Sequence, residues 1–512
     1  MTSKHAPRLL ALALVAACTP EGDGSGPATE TASAGSTDAT TGVSGETEAT
    51  DASTTNSSAG STSDASASAS SDSSASDSTT TDAGTTDATT DATGDATTNT
   101  TTDATTDATT DATGDPTGAD VCPLPPAGLD HGVPSKDPFE LVALDLATHP
   151  LAVCNDGSPA KYAFRPGNGP GADRWVILLD GGGECHDLDT CLQRWKSDDK
   201  PAGRLNMGTS GYDDAFLLTL ERGGPFSEDP AENPLFHDAN LVRVFYCSSD
   251  LWSGDRGAVD GAKLGEIGFW HFRGHAIIQA TIEDLKATRG LADALEVLFA
   301  GTSAGGYGVY VNVDEAGAQM PPGARYVGLA DAGFFIDYPA FDPDTQEESA
   351  ADPSIITEVM MRGSASWGGH GDLSCDQAAA DDAERLRCRS PDHIAGTGHL
   401  TTPTLLVQEQ YDANQTIRLG VKLDGKTGDA ATPAQQTWRD HFAARIRELL
   451  GEAAPGIAIW SRFIHFHVVL TKPPGTANAF VQQEIGGVEL VDFLSAWYLD
   501  PCAPQRLIEP PK

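Results

Sequence analysis

Over the last four-fifths of the chain, short apolar runs alternate with stretches of helical period. Runs apolar on both faces, at residues 175–179, 241–246, 297–300, 326–329 and 404–407, predict strands, with 457–463 a further candidate. Strands without a polar face belong in a parallel sheet covered by helices. Between them, residues 274–286, 304–312, 434–450 and 488–497 carry the helical spacing. In the third of these, Trp438, Phe442, Ile446 and Leu449 form a stripe that reads as core packing. Strands alternating with helices predict an open α/β fold, a mostly parallel central sheet flanked by helices around one core.

The pattern is missing before residue 121. Residues 19–120 are Ser, Thr, Asp, Ala and Gly, without aromatics and almost without aliphatics larger than Ala. Nothing there offsets the entropy of ordering, so the segment is expected to be a solvated, disordered linker. Its regular Asp spacing lacks the Gly turn and the bidentate Glu of a calcium loop. A flexible coil of about 100 residues reaches about 50–60 Å root-mean-square. Ahead of it, Lys4 and Arg8 precede an apolar run at 9–17 that is too short to cross a bilayer. The run ends in Val15-Ala16-Ala17-Cys18, which resembles a bacterial lipobox. Residues 1–18 are therefore expected to be a lipoprotein-type signal peptide, and residues 121–512 the folded domain. A lipidated Cys18 would anchor the exported protein to the bacterial cell envelope as its one membrane contact.

Charge narrows the function classes. The chain has 74 acidic residues against 32 Lys and Arg, a net charge of −42. The linker holds 19 of the acidic residues and no Lys or Arg, which leaves 55 acidic and 30 basic residues in 121–512. That balance excludes a nucleic-acid binder, which needs clustered cations against phosphate. Of the nine cysteines, eight remain once Cys18 is set aside: Cys122, Cys154, Cys185, Cys191, Cys247, Cys375, Cys388 and Cys502. An even number fits an oxidising compartment, and no pair has the two-residue spacing of a zinc knuckle. Cys185–Cys191 and Cys375–Cys388 would close short local loops.

The sharpest chemical signal is Phe299-Ala300-Gly301-Thr302-Ser303-Ala304-Gly305-Gly306. An apolar strand runs into Gly-x-Ser-x-Gly and then into a predicted helix, the setting of a nucleophile elbow that exposes the Ser303 hydroxyl. The hydroxyl needs a base, and the base needs an orienting carboxylate, in the chain order Ser, acid, His. Asp412, after the 404–407 strand, is the candidate acid, with Glu409 its closer rival and Asp331 and Asp337 earlier ones. His465 and His467 are the candidate bases. On a continued strand the two would share a face, yet a zinc site there would lack a third ligand. The loop Asp180-Gly181-Gly182-Gly183-Glu184-Cys185 follows a strand. It offers backbone donors at Gly182 and Gly183 that, with Ala304, would form an oxyanion hole.

Several blocks resemble the pectin acetylesterases and their animal relative Notum, a carboxylesterase. They are Cys154-Asn155-Asp156-Gly157-Ser158-Pro159-Ala160, the 180–185 loop with Cys191, the run at 240–254, Phe272-Arg273-Gly274, Gly301 to Gly306, and Leu329-Ala330-Asp331-Ala332-Gly333. The resemblance implies an α/β-hydrolase-like fold, a serine nucleophile, and no metal or cofactor. It places the nucleophile on Ser303, the acid on Asp412 and the base on His467, with His465 still open because the segment lacks the family's usual Cys. It also implies a Cys154–Cys247 disulfide, and elimination then pairs Cys122 with Cys502. Where the family's oxyanion loop carries a Trp, Glu184 follows Gly183 here.

Three functions compete. One is a serine carboxylesterase removing acetyl groups from polysaccharide, and another a deacylase of longer acyl chains. The third is an inactive surface-binding protein, for which a complete Ser, Asp, His order would have no use. Residues 334–400 are too long for a simple connection. They are expected to form a cap beside Ser303, stapled by Cys375–Cys388, in which Met360, Met361 and Trp367 set acyl-chain preference and Trp367 is dispensable for folding.

Overall fold

The computed structural model describes residues 129–196, 207–208, 223–257, 270–349, 355–424, 428–430, 432–476, 479–501 and 505–511. Cys18, the linker, Cys122 and Cys502 lie outside the described residues. Nine strands of these residues form one sheet. They are β1 (Glu140–Ala143), β2 (Lys161–Arg165), β3 (Arg174–Leu179), β4 (Asn240–Val244), β5 (Glu296–Thr302), β6 (Arg325–Asp331), β7 (Thr404–Val407), β8 (Ile457–Ser461) and β9 (Arg506–Ile508). The order across the sheet is β1-β2-β4-β3-β5-β6-β7-β8-β9. The β1–β2 and β2–β4 pairs are antiparallel, and every later pair is parallel.

The helices are α1 (Leu188–Lys196), α2 (Gly274–Thr288), α3 (Ala304–Ala318), α4 (Ile355–Trp367), α5 (Leu373–Ala378), α6 (Asp382–Arg387), α7 (Pro391–Thr397), α8 (Ala413–Arg418), α9 (Pro433–Gly451) and α10 (Leu490–Leu499). Alternation along the central strands divides the core in two. Trp175, Ile177, Val297 and Phe299 face one cluster, with Ile277 of α2, Tyr310 of α3 and the Trp438–Phe442–Ile446–Leu449 stripe of α9. Val176, Leu178, Leu298 and Ala300 face the other, with Phe493 and Trp497 of α10. The sheet is thus covered on both faces, which is why its central strands tolerate no polar side. The expected single core is two apolar layers separated by the sheet.

Two boundaries moved for identifiable reasons. The expected 457–463 strand ends at Ser461, beyond which Arg462 turns to pair with Glu409. The expected 488–497 helix begins at Leu490, because Val488–Glu489 pairs with Glu484–Ile485 in a short ribbon. Strands β1, β2 and β9 gave no clear periodic signal. β1 and β9 are short and only half-buried, and β2 is an apolar triplet closed by Lys161 and Arg165.

The 334–400 segment carries α4 to α7 and is stapled by Cys375–Cys388. Tyr307 of α3 donates to the Arg389 carbonyl at 2.8 Å, which ties the cap to the helix after Ser303. Trp367 departs from expectation. It is 1% exposed, and its indole donates to the Cys185 carbonyl at 2.7 Å. It anchors the cap to the glycine loop and does not line the Ser303 pocket, so truncating it would cost fold stability.

Cys154–Cys247 and Cys185–Cys191 are also bonded, with sequence separations of 93 and 6. Loop-closure entropy makes the first the stronger constraint on the unfolded chain, at most about 4–5 kcal/mol against about 2 kcal/mol. Replacing Cys154 and Cys247 together with Ala is therefore expected to lower the urea midpoint about twice as far as replacing Cys185 and Cys191. Equal shifts in equilibrium unfolding would contradict this.

Candidate active site

The parallel strands end on one edge of the sheet, and the site is assembled there. β5 runs into Ser303, which sits at φ 54° and ψ −116° immediately before α3. A non-glycine residue holds that backbone only where its surroundings force it. Gly305 supplies part of the force. A Cβ there would come within 2.0 Å of the Leu179 carbonyl, so only glycine lets α3 pass so close to β3. The Ser303 amide donates to the Asp331 carbonyl at 2.8 Å.

The Ser303 hydroxyl lies 2.8 Å from His467 Nε2, and His467 Nδ1 lies 2.7 Å from Asp412 Oδ2. Asp412 is fully buried and also caps α8, its Oδ1 accepting from the Gln415 amide at 2.9 Å. Capping and orienting thus use different oxygens of one carboxylate. Gln408 Nε2, at 3.3 Å, adds a donor to Oδ2. Burial lowers the His467 pKa, but the Asp412 carboxylate, with help from Asp331, outweighs it and holds the imidazole above its ordinary value of 6.5.

Two of the three rival acids have other partners. Glu409 is paired with Arg462 at 2.6 Å. Asp331 accepts from the Val469 and Leu470 amides at 2.9 and 2.8 Å, and burial pushes its carboxyl up to about 6. Asp337 is exposed at the edge of the cap. His465 is buried, with Nε2 3.4 Å from the Thr416 hydroxyl. It is not on a strand with His467, since β8 has already ended.

The glycine loop is braced from behind. Trp252 Nε1 donates to the Asp180 carbonyl at 2.9 Å, and Arg243 Nε donates to the Asp180 carboxylate at 2.7 Å. Gly183 (φ 71°), Glu184, Leu251, Ser303, Ala304, Val359, Met360 and Arg418 are among the residues lining a cavity of about 20 Å³. That is room for about one water. One pair on its wall was not expected from the sequence. Glu184 and Arg418 meet through two hydrogen bonds, at 2.5 and 2.8 Å. The signal was half visible, in the Glu184 that stands where the sequence resemblance implies Trp.

Among the described residues, two groups have metal-like spacing. In one, Cys375 and Cys388 are consumed by their disulfide, and in the other, Asp238 is paired with Arg174 at 3.0 Å and His237 Nδ1 lies 2.9 Å from the Asn233 carbonyl. Neither offers a free ligand set next to Ser303. For His467, an NMR titration is expected to give a midpoint above 6.5. Asp412→Asn should move it down, because burial then acts without the carboxylate. A midpoint unchanged by the substitution would contradict the coupling.

The family model for pectinacetylesterases matches residues 134–511. The human palmitoleoyl-protein carboxylesterase NOTUM is 32% identical over 315 residues, covering 60% of this chain and 58% of that protein. Pectin acetylesterase 11 of Arabidopsis thaliana is 30% identical over 275 residues, 53% of this chain and 62% of the plant protein. The chain thus spans less than two thirds of either relative's length. The structure of the Wnt deacylase Notum from Drosophila superposes with a TM-score of 0.60 at 27% identity, covering 73% of this chain and 96% of that one. On the extent of the family match and the shared fold, this chain belongs to the pectinacetylesterase family.

Proposed function

We propose that the protein is a serine carboxylic-ester hydrolase that removes a short acyl group, acetyl above all, from a carbohydrate alcohol. The observation that carries this reading is the hydrogen-bonded chain from Ser303 through His467 to Asp412, at 2.8 and 2.7 Å. His467 Nε2 takes the hydroxyl proton as Ser303 Oγ attacks the acyl carbon, while Asp412 fixes the tautomer and stabilises the imidazolium. Backbone N–H groups of Gly182, Gly183 and Ala304 meet the charge developing on the carbonyl oxygen. The proton then passes to the departing alcohol, leaving an acyl ester on Ser303. His467 next deprotonates a water that attacks this ester, and the acid leaves as Ser303 regains its proton. These steps call for no metal or cofactor.

The relatives are named for different activities, one a palmitoleoyl-protein carboxylesterase and the other a pectin acetylesterase. The cavity of about 20 Å³ supports the short chain, since a long one needs Val359 and Met360 to move. The Glu184–Arg418 pair on its wall is also a poor lining for a lipid chain, since a charge facing hydrocarbon is costly. The reading extends to location. Three disulfides support an oxidising compartment, and residues 1–18 and 19–120 are proposed as a lipoprotein-type signal and linker that hold the domain off the cell envelope. Among the described residues, no helix is long and apolar enough to cross a membrane.

Ser303→Ala is expected to cut p-nitrophenyl acetate hydrolysis by about 10,000-fold or more with unchanged circular dichroism. His467→Ala should cost far more than His465→Ala, and the opposite ranking would move the base to His465. The kcat/KM of the wild type should rise with pH through a midpoint above 6.5, as the imidazole loses its proton. Across esters from acetate to palmitate the rate should fall with chain length. A preference for palmitate would favour the deacylase reading, and no turnover the binding-protein reading. Cys18→Ala should abolish incorporation of an alkyne-tagged fatty acid in a bacterial host, and labelling that persists would rule out Cys18 as the anchor.

A further inference from the structure

A second cavity, of about 440 Å³, opens beside the Ser303 pocket and shares Phe335 and Met360 with it. Its other walls come from α6, α7 and the C-terminal half of α9. An ester has two sides, and the two cavities differ in the way those sides require. The first has room for one small group, whereas the second falls within the usual size range of ligand sites. An acyl methyl seated by Ser303 leaves the alcohol in need of a second space, and the larger cavity lies next to the first across Phe335 and Met360.

The chemistry of the larger cavity restricts the alcohol. Three carboxylates, Asp337, Asp392 and Glu452, line it with two guanidinium groups, Arg387 and Arg445. His393, the remaining titratable group on the wall, is held below its ordinary value by burial and then by Arg387, so it adds no positive charge at neutral pH. The balance is one net negative charge, which disfavours an anionic chain. Neutral hydroxyls fit both signs, donating to carboxylates and accepting from guanidinium groups. Asp337 and Glu452 have no side-chain partner among the described residues, so both are free to accept. Phe335, half-buried and stacked with Tyr307 at 6.3 Å, adds apolar surface against which the C–H side of a pyranose could pack.

We infer that this cavity is the alcohol-side subsite of the enzyme, and that it takes an O-acetylated neutral sugar chain in preference to an acidic one. The inference rests on the ester-hydrolase reading above.

Three substrates test it: p-nitrophenyl acetate, whose activated leaving group departs without any hydroxyl contact to the cavity, an acetylated xylo-oligosaccharide and an acetylated oligogalacturonide. The wild type should prefer the neutral oligosaccharide ester. Gly396→Trp should block the cavity, since a Cβ at this position meets only the Glu452 carbonyl, at 4.0 Å. It should raise KM for the neutral ester by about tenfold or more and leave p-nitrophenyl acetate turnover within about twofold. Asp337→Asn, at an exposed position, should raise the same KM by about fivefold without a change in the control. An unchanged KM in both variants, a parallel loss on the control, or faster turnover of the galacturonide by the wild type would each overturn the inference. Failure of the wild type on p-nitrophenyl acetate would instead overturn the ester-hydrolase reading beneath it.

Discussion

One buried residue, Asp331, joins the two halves of the site. Its carbonyl accepts the Ser303 amide at 2.8 Å, and its carboxylate accepts the Val469 and Leu470 amides just after His467. The elbow and the histidine loop are 164 residues apart in sequence, yet both are referred to the end of β6. The Ser303–His467 distance is therefore set by backbone hydrogen bonds to one rigid strand end and not by the two side chains alone. Burial without an ion-pair partner raises the Asp331 carboxyl to about 6, so this constraint depends on backbone donors keeping the carboxylate charged.

Around that hinge, crowding does the rest. Ser303 keeps a left-handed backbone because α3 and β3 leave it no alternative, with Gly305 against the Leu179 carbonyl. The glycine loop is held from behind by Trp252 and Arg243, and from the cap side by the indole of Trp367. The cap is thus part of the scaffold of the glycine loop as well as a pocket wall. Its two roles fall on different residues: Trp367 and Cys375–Cys388 hold it in place, and Val359 and Met360 face the pocket.

Three carboxylates near the end of β7 show how partner choice assigns roles. Glu409 faces Arg462, Asp331 faces backbone amides, and Asp412 faces His467. All three are buried, so burial alone does not single out the partner of His467. What distinguishes Asp412 is that α8 begins at it, which points one oxygen into the helix and leaves the other for the imidazole.

The sequence alone determined what local pattern and composition can determine. Apolar runs without a polar face gave the central strands, since such runs fit only between two helical layers. The Gly-x-Ser-x-Gly turn after one of them gave Ser303, because small residues at fixed offsets are a local requirement of the elbow. The edge strands β1 and β9, and β2 between β1 and β4, left little trace, since their short runs carry too few residues to show a period. The sequence favoured Asp412 over Glu409 and its resemblance favoured His467 over His465, but only the tertiary structure brings His467 beside Ser303 and Asp412 beside His467. Within either pair the residues are chemically alike and close in sequence, and differ only in where a loop turns after its strand ends. The Glu184–Arg418 pair and the role of Trp367 were likewise settled by packing, because each joins segments more than 180 residues apart that no local pattern relates.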